Sequence, residues 1–452
     1  MTAPKGPNRQ LSAVIEEAGY TYEALARAVR AVAIEAGVKL GTSRSAVHSW
    51  VVASAIPSGR TPTYVAEALS RKLRRRVTVA EIGLGSDVIG DTNAPDPLAA
   101  ASDLGRLIVH NRRDFLSLAF SAGAVLFPLD YDPQAAAAAL RATAAGHRVG
   151  IDEVATVRQF TEMFRTADER LGGGHGLVAI ASFLNDVVTP MLNGTFPNDQ
   201  VRRSAFGAGA ELATLVGWKC HDLGREGAAQ RFYQLAYQFA CESDPAGHSA
   251  WAMRALAHQA LDLGHPAGTI DVAEAALARA RGRVGRQTEA LLLITAARAH
   301  GASGNGPTAA ALILAAEDAM LASNDDIPAY AAAAGPAAAV VASHTGRTLT
   351  EMKDHAAAER HYRTALNKRV PGTYHRVRGI TFANIAKSVA AQHRYEEAVG
   401  LWSQSLDLMD GVISRRNGKE LETMRSNLAL YIQRGIPGAA ELSQRAASII
   451  AV

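Results

Sequence analysis

The chain is poor in the residues that cross-link small folds or carry catalytic chemistry. It has two cysteines in 452 residues, Cys220 and Cys241, too far apart for a Cys-x-x-Cys site. Both fall in helical patterns, so buried thiols in a reducing compartment are expected, not a disulfide or a metal site. Aromatic residues make up only 6% of the chain. Residues Leu116 to Leu129 are apolar but too short to span a bilayer. The polar start, Met1 to Asn8, has no apolar signal region. Arg112-Arg113-Asp114-Phe115-Leu116 has the look of a twin-arginine export signal, but such signals are N-terminal and a helical domain precedes this one. The expectation is a cytoplasmic protein without membrane contact.

Catalytic signatures are missing as well. The sequence has no G-x-S-x-G elbow, no His-Glu-x-x-His pair and no Walker loop. Gly172-Gly173-Gly174-His175-Gly176 lacks the Lys-Ser/Thr that would hold phosphate, and reads as a flexible connection between helices. The histidines are scattered. His355 and His361, six apart, do not share a helical face, which favours surface histidines over metal ligands. An enzyme is not expected, and neither is a cofactor or a metal.

What the chain has in abundance is alanine and helical periodicity. Alanine is the best helix former and lets helix axes approach closely. Leu11, Val14, Ile15 and Ala18 mark a first helix that stops at Gly19. Thr21 then caps a second, with Leu25, Ala26, Val29 and Val32 on one face. Thr42 or Ser43 caps a third, with Val47, Trp50 and Val51. A fourth follows through Tyr64, Val65, Leu69 and Leu73, and Thr78 caps a short final turn. Residues 1–85 therefore read as a compact helical head. Residues 86–110 read as a linker, rich at its start in Gly, Asp, Asn and Pro, and 111–200 as a helical connecting region.

From 201 to 452 a repeat appears. Gly217–Gly224–Ala229–Tyr233–Ala236 has the spacing of Ala257–Gly264–Thr269–Ala273–Ala276, of Ala297–Gly304–Ala309–Ile313–Ala316 and of Ala386–His393–Ala398–Trp402–Ser405. A further unit ends in Ala358–Tyr362–Ala365. The residues opening each second helix, 229, 269, 309, 358 and 398, step by 40, 40, 49 and 40, which indicates a solenoid of helix pairs. No single pair can bury its apolar face, so stacking is compulsory. The long step contains Gly346 to Thr350, read as a longer loop. The fold expected is all-α, a small helix-turn-helix head followed by an α-solenoid of tetratricopeptide-type pairs.

The net charge of +4 is concentrated at one end. Residues 1–90 hold twelve Lys/Arg against seven Asp/Glu, leaving thirty-five basic against thirty-six acidic in the rest. A basic head on a neutral body points to an anionic partner for the head. If the third helix enters a major groove, Ser43, Arg44, Ser45 and His48 at its start are placed for bases and phosphates. Arg60, Lys72, Arg74, Arg75 and Arg76 would add salt-dependent phosphate contacts. The alternative is a helical dock with a solvated basic face.

Several ordered pieces carry a resemblance. They are Leu25-Ala26-Arg27, Ser45-Ala46-Val47-His48-Ser49-Trp50-Val51 with Pro57, and Val65-Ala66-Glu67-Ala68-Leu69-Ser70. Further on come the Arg112–Leu116 motif, Asp168 with Gly172-Gly173, and Glu211-Leu212-Ala213 to Gly217-Trp218. In this order they resemble actinobacterial transcriptional regulators with an Xre-like helix-turn-helix and a C-terminal tetratricopeptide-type array. The chain departs from the simplest such domains in two places. Ala26 and Val47 stand further apart, and Val52-Ala53 replaces a glycine after Trp50.

The resemblance implies double-stranded DNA as one partner. It also implies a peptide, small-molecule or protein effector in a groove lined by the first helices of the pairs. Carried over to this chain, Trp218, His221, Arg254, His258 and Arg298 face that groove. Asn384 and Asn427 join them, as amides able to bond a peptide backbone through both donor and acceptor. A homodimer would follow from operator symmetry. The competing expectation is a repeat scaffold that acts through protein contacts and never binds DNA.

Overall fold

The structure, a computed structural model, describes residues 6–85, 96–110, 118–143, 146, 148–266, 268–323, 326–372 and 374–449. The twin-arginine-like motif at 112–116 and the linker residues 86–95 lie outside the described residues. The described fold is all-α and builds a helical repeat-like array. Its one extended feature is an isolated bridge between Arg148 and Thr195.

The head forms from the signals its sequence carries. Helices α1 (Arg9–Glu17), α2 (Tyr22–Glu35) and α3 (Arg44–Val52) each begin at a side-chain cap. Asn8, Thr21 and Ser43 accept the backbone N–H of Leu11, Ala24 and Ala46 respectively, satisfying donors that the helix itself leaves orphaned. Helix α4 (Thr61–Leu73) starts with Pro62 in its first turn and ends at Arg74 in the left-handed region, φ +53°. The Glu81 N–H donates to Thr78 Oγ1, closing the last short turn. Leu11, Leu25, Val29, Val47, Tyr64, Leu69 and Ile82 make one core under these helices. The α2–α3 connection spans 36–43, longer than the three- or four-residue turn typical of a helix-turn-helix, roughly doubling it.

The linker reading stops short of 110. Pro97–His110 is helix α5, whose Leu98, Leu104, Leu107 and Ile108 are buried in the body core. Its amphipathic run outweighs the turn-rich residues before it. Helices α6 (Pro133–Thr143) and α7 (Ile151–Leu171) follow. Helix α8 (Leu177–Phe183) continues through a π-helical turn, Leu184–Val188, into Thr189–Leu192.

Six helix pairs make the array. They are α9 (Asp199–Asp222) with α10 (Glu226–Ser243), α11 (Gly247–Asp262) with α12 (Thr269–Ala280), and α13 (Arg286–Ala302) with α14 (Gly306–Leu321). Then come α15 (Ala337–Glu351) with α16 (His355–Asn367), α17 (His375–Ala391) with α18 (Tyr395–Met409), and α19 (Arg415–Gln433) with α20 (Ala439–Ser448). Small residues stand where paired helices touch. A Cβ on Gly217 would meet the Tyr233 ring at 2.7 Å, and one on Gly346 would meet the Tyr362 ring at 2.8 Å. Gly435 (φ +69°) turns the chain between α19 and α20, and the other five pairs each have one left-handed residue at the same repeat position. These are Gly224 (φ +69°), Gly264 (+74°), Gly304 (+80°), Lys353 (+68°) and His393 (+64°). The last two adopt at some steric cost a conformation that glycine adopts freely.

That register corrects the reading of the 49-residue step. Gly346 to Thr350 is not a loop but lies inside α15, and the unit is complete as Gly346–Lys353–Ala358–Tyr362–Ala365. The extra residues lie between α14 and α15 and include a short helix, Ala329–Ala332. No helix among the described residues is long and apolar enough to cross a membrane.

The array curves until its ends meet. The Ile413 N–H donates to the Leu171 carbonyl at 3.0 Å, and the Gly174 N–H to the Ile413 carbonyl at 3.3 Å, joining the end of α7 to the α18–α19 turn. The glycine triad is therefore a tight closure, not a flexible connection. A Cβ on Gly173 would stand 2.8 Å from both the Asp222 Cβ and the Lys219 carbonyl. Asp168 of α7 receives Lys219 Nζ at 3.1 Å and Arg376 Nη2 at 2.8 Å. Arg376 Nη1 reaches Asp222 at 3.1 Å, and Ser414 Oγ donates to the same carboxylate at 2.8 Å. All four charged groups are buried.

Candidate functional site

Closure leaves a cavity of about 520 Å³ on the inner face of the array. First helices supply its wall: α9, α11, α15 and α17, joined by α7 and by the short helix at 329–332. They do so because in each pair the second helix packs outward against its neighbours while the first faces the axis of curvature. The lining alternates apolar and aromatic surface (Leu215, Val340, Ile380, Trp218, Trp251, Tyr330) with buried charge.

The charge centres on Asp262, the last residue of α11, where a helix C-terminus disfavours an anion unless cations gather. Arg298 Nη2 reaches its Oδ1 at 2.5 Å and Arg347 Nη1 reaches the same oxygen at 3.1 Å. His221 Nε2 and Arg416 Nη2 approach Oδ2 at 3.3 and 3.5 Å. Burial raises the Asp262 pKa, but Arg347 and Arg298 outweigh it and hold the carboxyl well below its usual range. His221 also meets Glu226 through Nδ1 at 2.8 Å. Both its nitrogens thus face carboxylate oxygens, which only the doubly protonated ring can satisfy. Burial alone would depress its pKa, yet Glu226 and Asp262 lift it to about 9.

The neighbouring histidines behave oppositely. Arg298 Nη1 donates to His258 Nδ1 at 3.1 Å, so the proton of His258 sits on Nε2 and is donated to Thr295 Oγ1 at 3.1 Å. Burial first, then Arg254 and His344, push the His258 pKa well below normal. His344, 4.6 Å from His258 between ring centroids, is depressed by burial, Arg298 and Arg254. Both rings are neutral at neutral pH. His248 stacks on Tyr330 at 4.5 Å, and burial lowers its pKa to about 4.

Five of the seven residues assigned to the groove line this cavity: Trp218, His221, Arg254, His258 and Asn384. Arg376 and Arg416 lie over the Trp218 ring at 5.4 and 5.1 Å. Arg298 lies behind the wall, only 2% exposed, as the inner partner of Asp262 and His258. Asn427 is not among the lining residues. The Asn-Leu-Ala match is off by one residue: Gly435, the left-handed turn after α19, fixes Leu428 as the equivalent of Ala386. One residue is about 100° of helical rotation, which takes Asn427 off the groove face.

The surface-histidine reading is corrected here. His221 and His248 are nearly fully buried, and four histidines line the cavity. No group of three or more metal-ligating side chains occurs among the described residues. The two cysteines are free and buried, and burial drives both thiol pKa values up to about 12, which leaves them inert. Residues with no place in the sequence reading complete the site: Trp251, Asp262, Tyr330, His344, Arg347 and Arg376. The repeat register held a signal for most of them. Trp218, His258, Arg298, Arg347 and Lys387 share one repeat position, and Asp222, Asp262 and Glu351 share another at the ends of first helices.

On the head, Ser43, Arg44, Ser45 and His48 are exposed at the start of α3, although Ser43 Oγ also caps that helix. Lys72 is exposed beside the Tyr20 ring at 5.6 Å, and Arg74 is exposed at the end of α4. Arg75 is bound by Glu17 at 2.7 Å and Glu81 at 2.8 Å. Arg60 is half-buried and Arg76 exposed, and both lie near Arg231 of α10, whose pKa burial lowers to about 10 with their help.

The head is docked through residues 118–122. Gln230 of α10 exchanges hydrogen bonds with the Ser121 backbone at 2.8 and 2.7 Å. The Ala122 N–H donates to Glu67 at 2.9 Å, and Arg71 binds both Glu67 and Glu35. Phe120 stacks on His265 at 5.3 Å, in the turn that ends α11. One helix thus lines the cavity and meets the head contact.

Among known families, the SP15 N-terminal domain matches residues 11–85, the head without the array. No curated protein matches the chain. The head is similar to the SP15 N-terminal domain, and the likeness ends where the head does.

Proposed function

We propose that the protein is a DNA-binding transcriptional regulator, Xre-like in its head and tetratricopeptide-like in its array, whose cavity holds an effector. The observation that carries this reading is the cavity of about 520 Å³, walled by first helices and lined by apolar and aromatic surface together with charged and polar groups. The link to the head runs through α11, which presents Arg254, His258 and Asp262 to the cavity and ends against Phe120. A ligand favouring one curvature of the array would shift the head by biasing two pre-existing arrangements. The exposed set Ser43, Arg44, Ser45 and His48 supports a DNA-facing α3.

A second reading, a scaffold that binds proteins only, draws support from Arg75, whose charge Glu17 and Glu81 already match. Genome-wide capture of DNA on tagged protein separates the two, with Arg44→Glu and Arg74→Glu combined as the control. The regulator reading expects sharp peaks that share a motif and vanish in the control. Identical profiles for the two proteins would sink it.

A further inference from the structure

Of the seven arginines around the cavity, five are held by carboxylates: Arg158 by Glu211, Arg165 by Glu162, Arg376 by Asp168 and Asp222, and Arg347 and Arg416 by Asp262. Arg254 and Arg369 have no acidic partner among the described residues. Arg369 Nη1 donates to the Ala365 carbonyl at 3.3 Å, and the residue lies near Tyr374. Arg254 is different in setting. It is 8% exposed, and its single protein hydrogen bond runs from Nε to the Leu291 carbonyl at 3.3 Å. Both terminal nitrogens are left to the cavity, the planar fork that matches a carboxylate through two parallel bonds.

The surroundings select what that fork would hold. The guanidinium lies over the Trp251 ring at 4.4 Å, and Tyr330 stands 6.2 Å from Trp251 between ring centroids. His344 lines the same space, and its Nδ1 is buried without a hydrogen-bond partner. A buried cation without a counter-ion is costly, so the Arg254 fork, with no carboxylate partner, marks an unfilled pair of bonds. His258 and His344, both neutral, add no positive charge. The Arg254 fork, buried beside Trp251, calls for one carboxylate. Burial lowers the Arg254 pKa to about 9, in keeping with a cation that lacks its counter-ion.

We propose that the array cavity binds a small organic monocarboxylate, its carboxylate forked onto Arg254 and its apolar body laid against Trp251 and Tyr330. This rests on the effector-cavity reading above and specifies its ligand class. Arg254 anchors, and Trp251 and Tyr330 receive the apolar portion. The segment that brings Tyr330 into the cavity is the insertion that breaks the 40-residue period, so the irregularity of the repeat and the site have one origin.

The test uses the full chain and three probes matched in shape: 3-phenylpropionate, its neutral amide 3-phenylpropionamide, and phenyl phosphate. Calorimetric titration of wild-type protein is expected to show the carboxylate binding at least tenfold more tightly than the amide and more tightly than the phosphate. Arg254→Met erases the carboxylate preference, and without any probe it melts at or above the wild-type temperature, because an unpaired buried charge has been removed. Arg254→Lys keeps the charge but loses the fork, and shows an intermediate preference. Wild-type protein that binds none of the probes, binds carboxylate and amide alike, or prefers the phosphate overturns the assignment. So does an Arg254→Met protein that keeps the preference, or one that melts several degrees lower, which would make Arg254 a structural prop. Carboxylate binding that leaves DNA capture unchanged supports the site and removes the regulator reading, so the two fail separately.

Discussion

Lys219 and Asp222 stand within one turn of α9, and His221 lies between them, yet these residues belong to two buried clusters of opposite character. The closure cluster sets two carboxylates, Asp168 and Asp222, against two cations, Lys219 and Arg376. Ser414 Oγ and the Gly173 N–H donate to Asp222 as well. Charges balance and lone pairs are met. The Asp262 cluster has two carboxylates, Asp262 and Glu226, against Arg298, Arg347, Arg416 and a protonated His221, with Arg254 close by and unpaired. Burying charge is tolerable only when it is matched. The first cluster balances its charges and serves to close the array. The second sets four cations against two carboxylates, and the carboxylate proposed for Arg254 would add to the acidic side.

The comparison can be broken most severely at Asp168. Asp168→Asn leaves Lys219 and Arg376 buried with half their compensation, and is expected to cost about 3–5 kcal/mol in chemical denaturation. Recovery by an added anion should be slight, since Lys219, whose ion pair is with Asp168, is not among the residues lining the cavity. A loss below about 1 kcal/mol would show the closure cluster to be solvated.

Asp262→Asn is expected to lose a comparable amount, about 3 kcal/mol, but with partial recovery in 3-phenylpropionate, because its cations line an accessible cavity. Equal recovery of the Asp168→Asn protein would erase the distinction.

Gly173→Ala tests closure by shape. Its Cβ would press on the Asp222 Cβ and the Lys219 carbonyl, at an expected cost of about 1–3 kcal/mol. An unchanged melting temperature would mean that the ends of the array part easily.

The pH dependence sharpens the contrast further. His258, His344 and His248 have folded pKa values below the unfolded value near 6.5, so the unfolded chain binds more protons. Their contribution is complete above pH 6.5 and is lost as pH falls toward 4. His221 has the opposite sign: raised to about 9, it stabilises fully below pH 6.5 and loses that contribution as pH rises through 9. Thermal melts should therefore peak between these limits, and His221→Gln should flatten the alkaline limb alone. An alkaline limb unchanged by that substitution would place its origin elsewhere.

Much of the fold was legible because its signals are local. Thr21, Ser43 and Thr78 cap what they were expected to cap, and the repeat spacing gave the helix pairs directly. The linker expected to residue 110 gives way to helix α5 at Pro97, because the apolar face of α5 packs into the body core, a tertiary contact that the turn-rich residues before it do not signal. The closure was illegible because it joins residues far apart in sequence: nothing local links Asp168 to Arg376 or Gly173 to Asp222. Within the site, Trp218, His221, Arg254 and His258 were reachable through the repeat register. Tyr330 was not, because it enters from an insertion that no other unit has. Asn427 was misplaced by trusting three letters over the position of the turn at Gly435.

The central claim is that one buried cation, Arg254, waits for an anion. The most direct measurement is the melting temperature of wild-type and Arg254→Met proteins as chloride is replaced by 3-phenylpropionate at constant ionic strength. A ligand that binds only the folded state stabilises it in proportion to the logarithm of its concentration above Kd. The account predicts a steady rise for wild-type protein and a flat line for Arg254→Met. Parallel curves for the two proteins would contradict it.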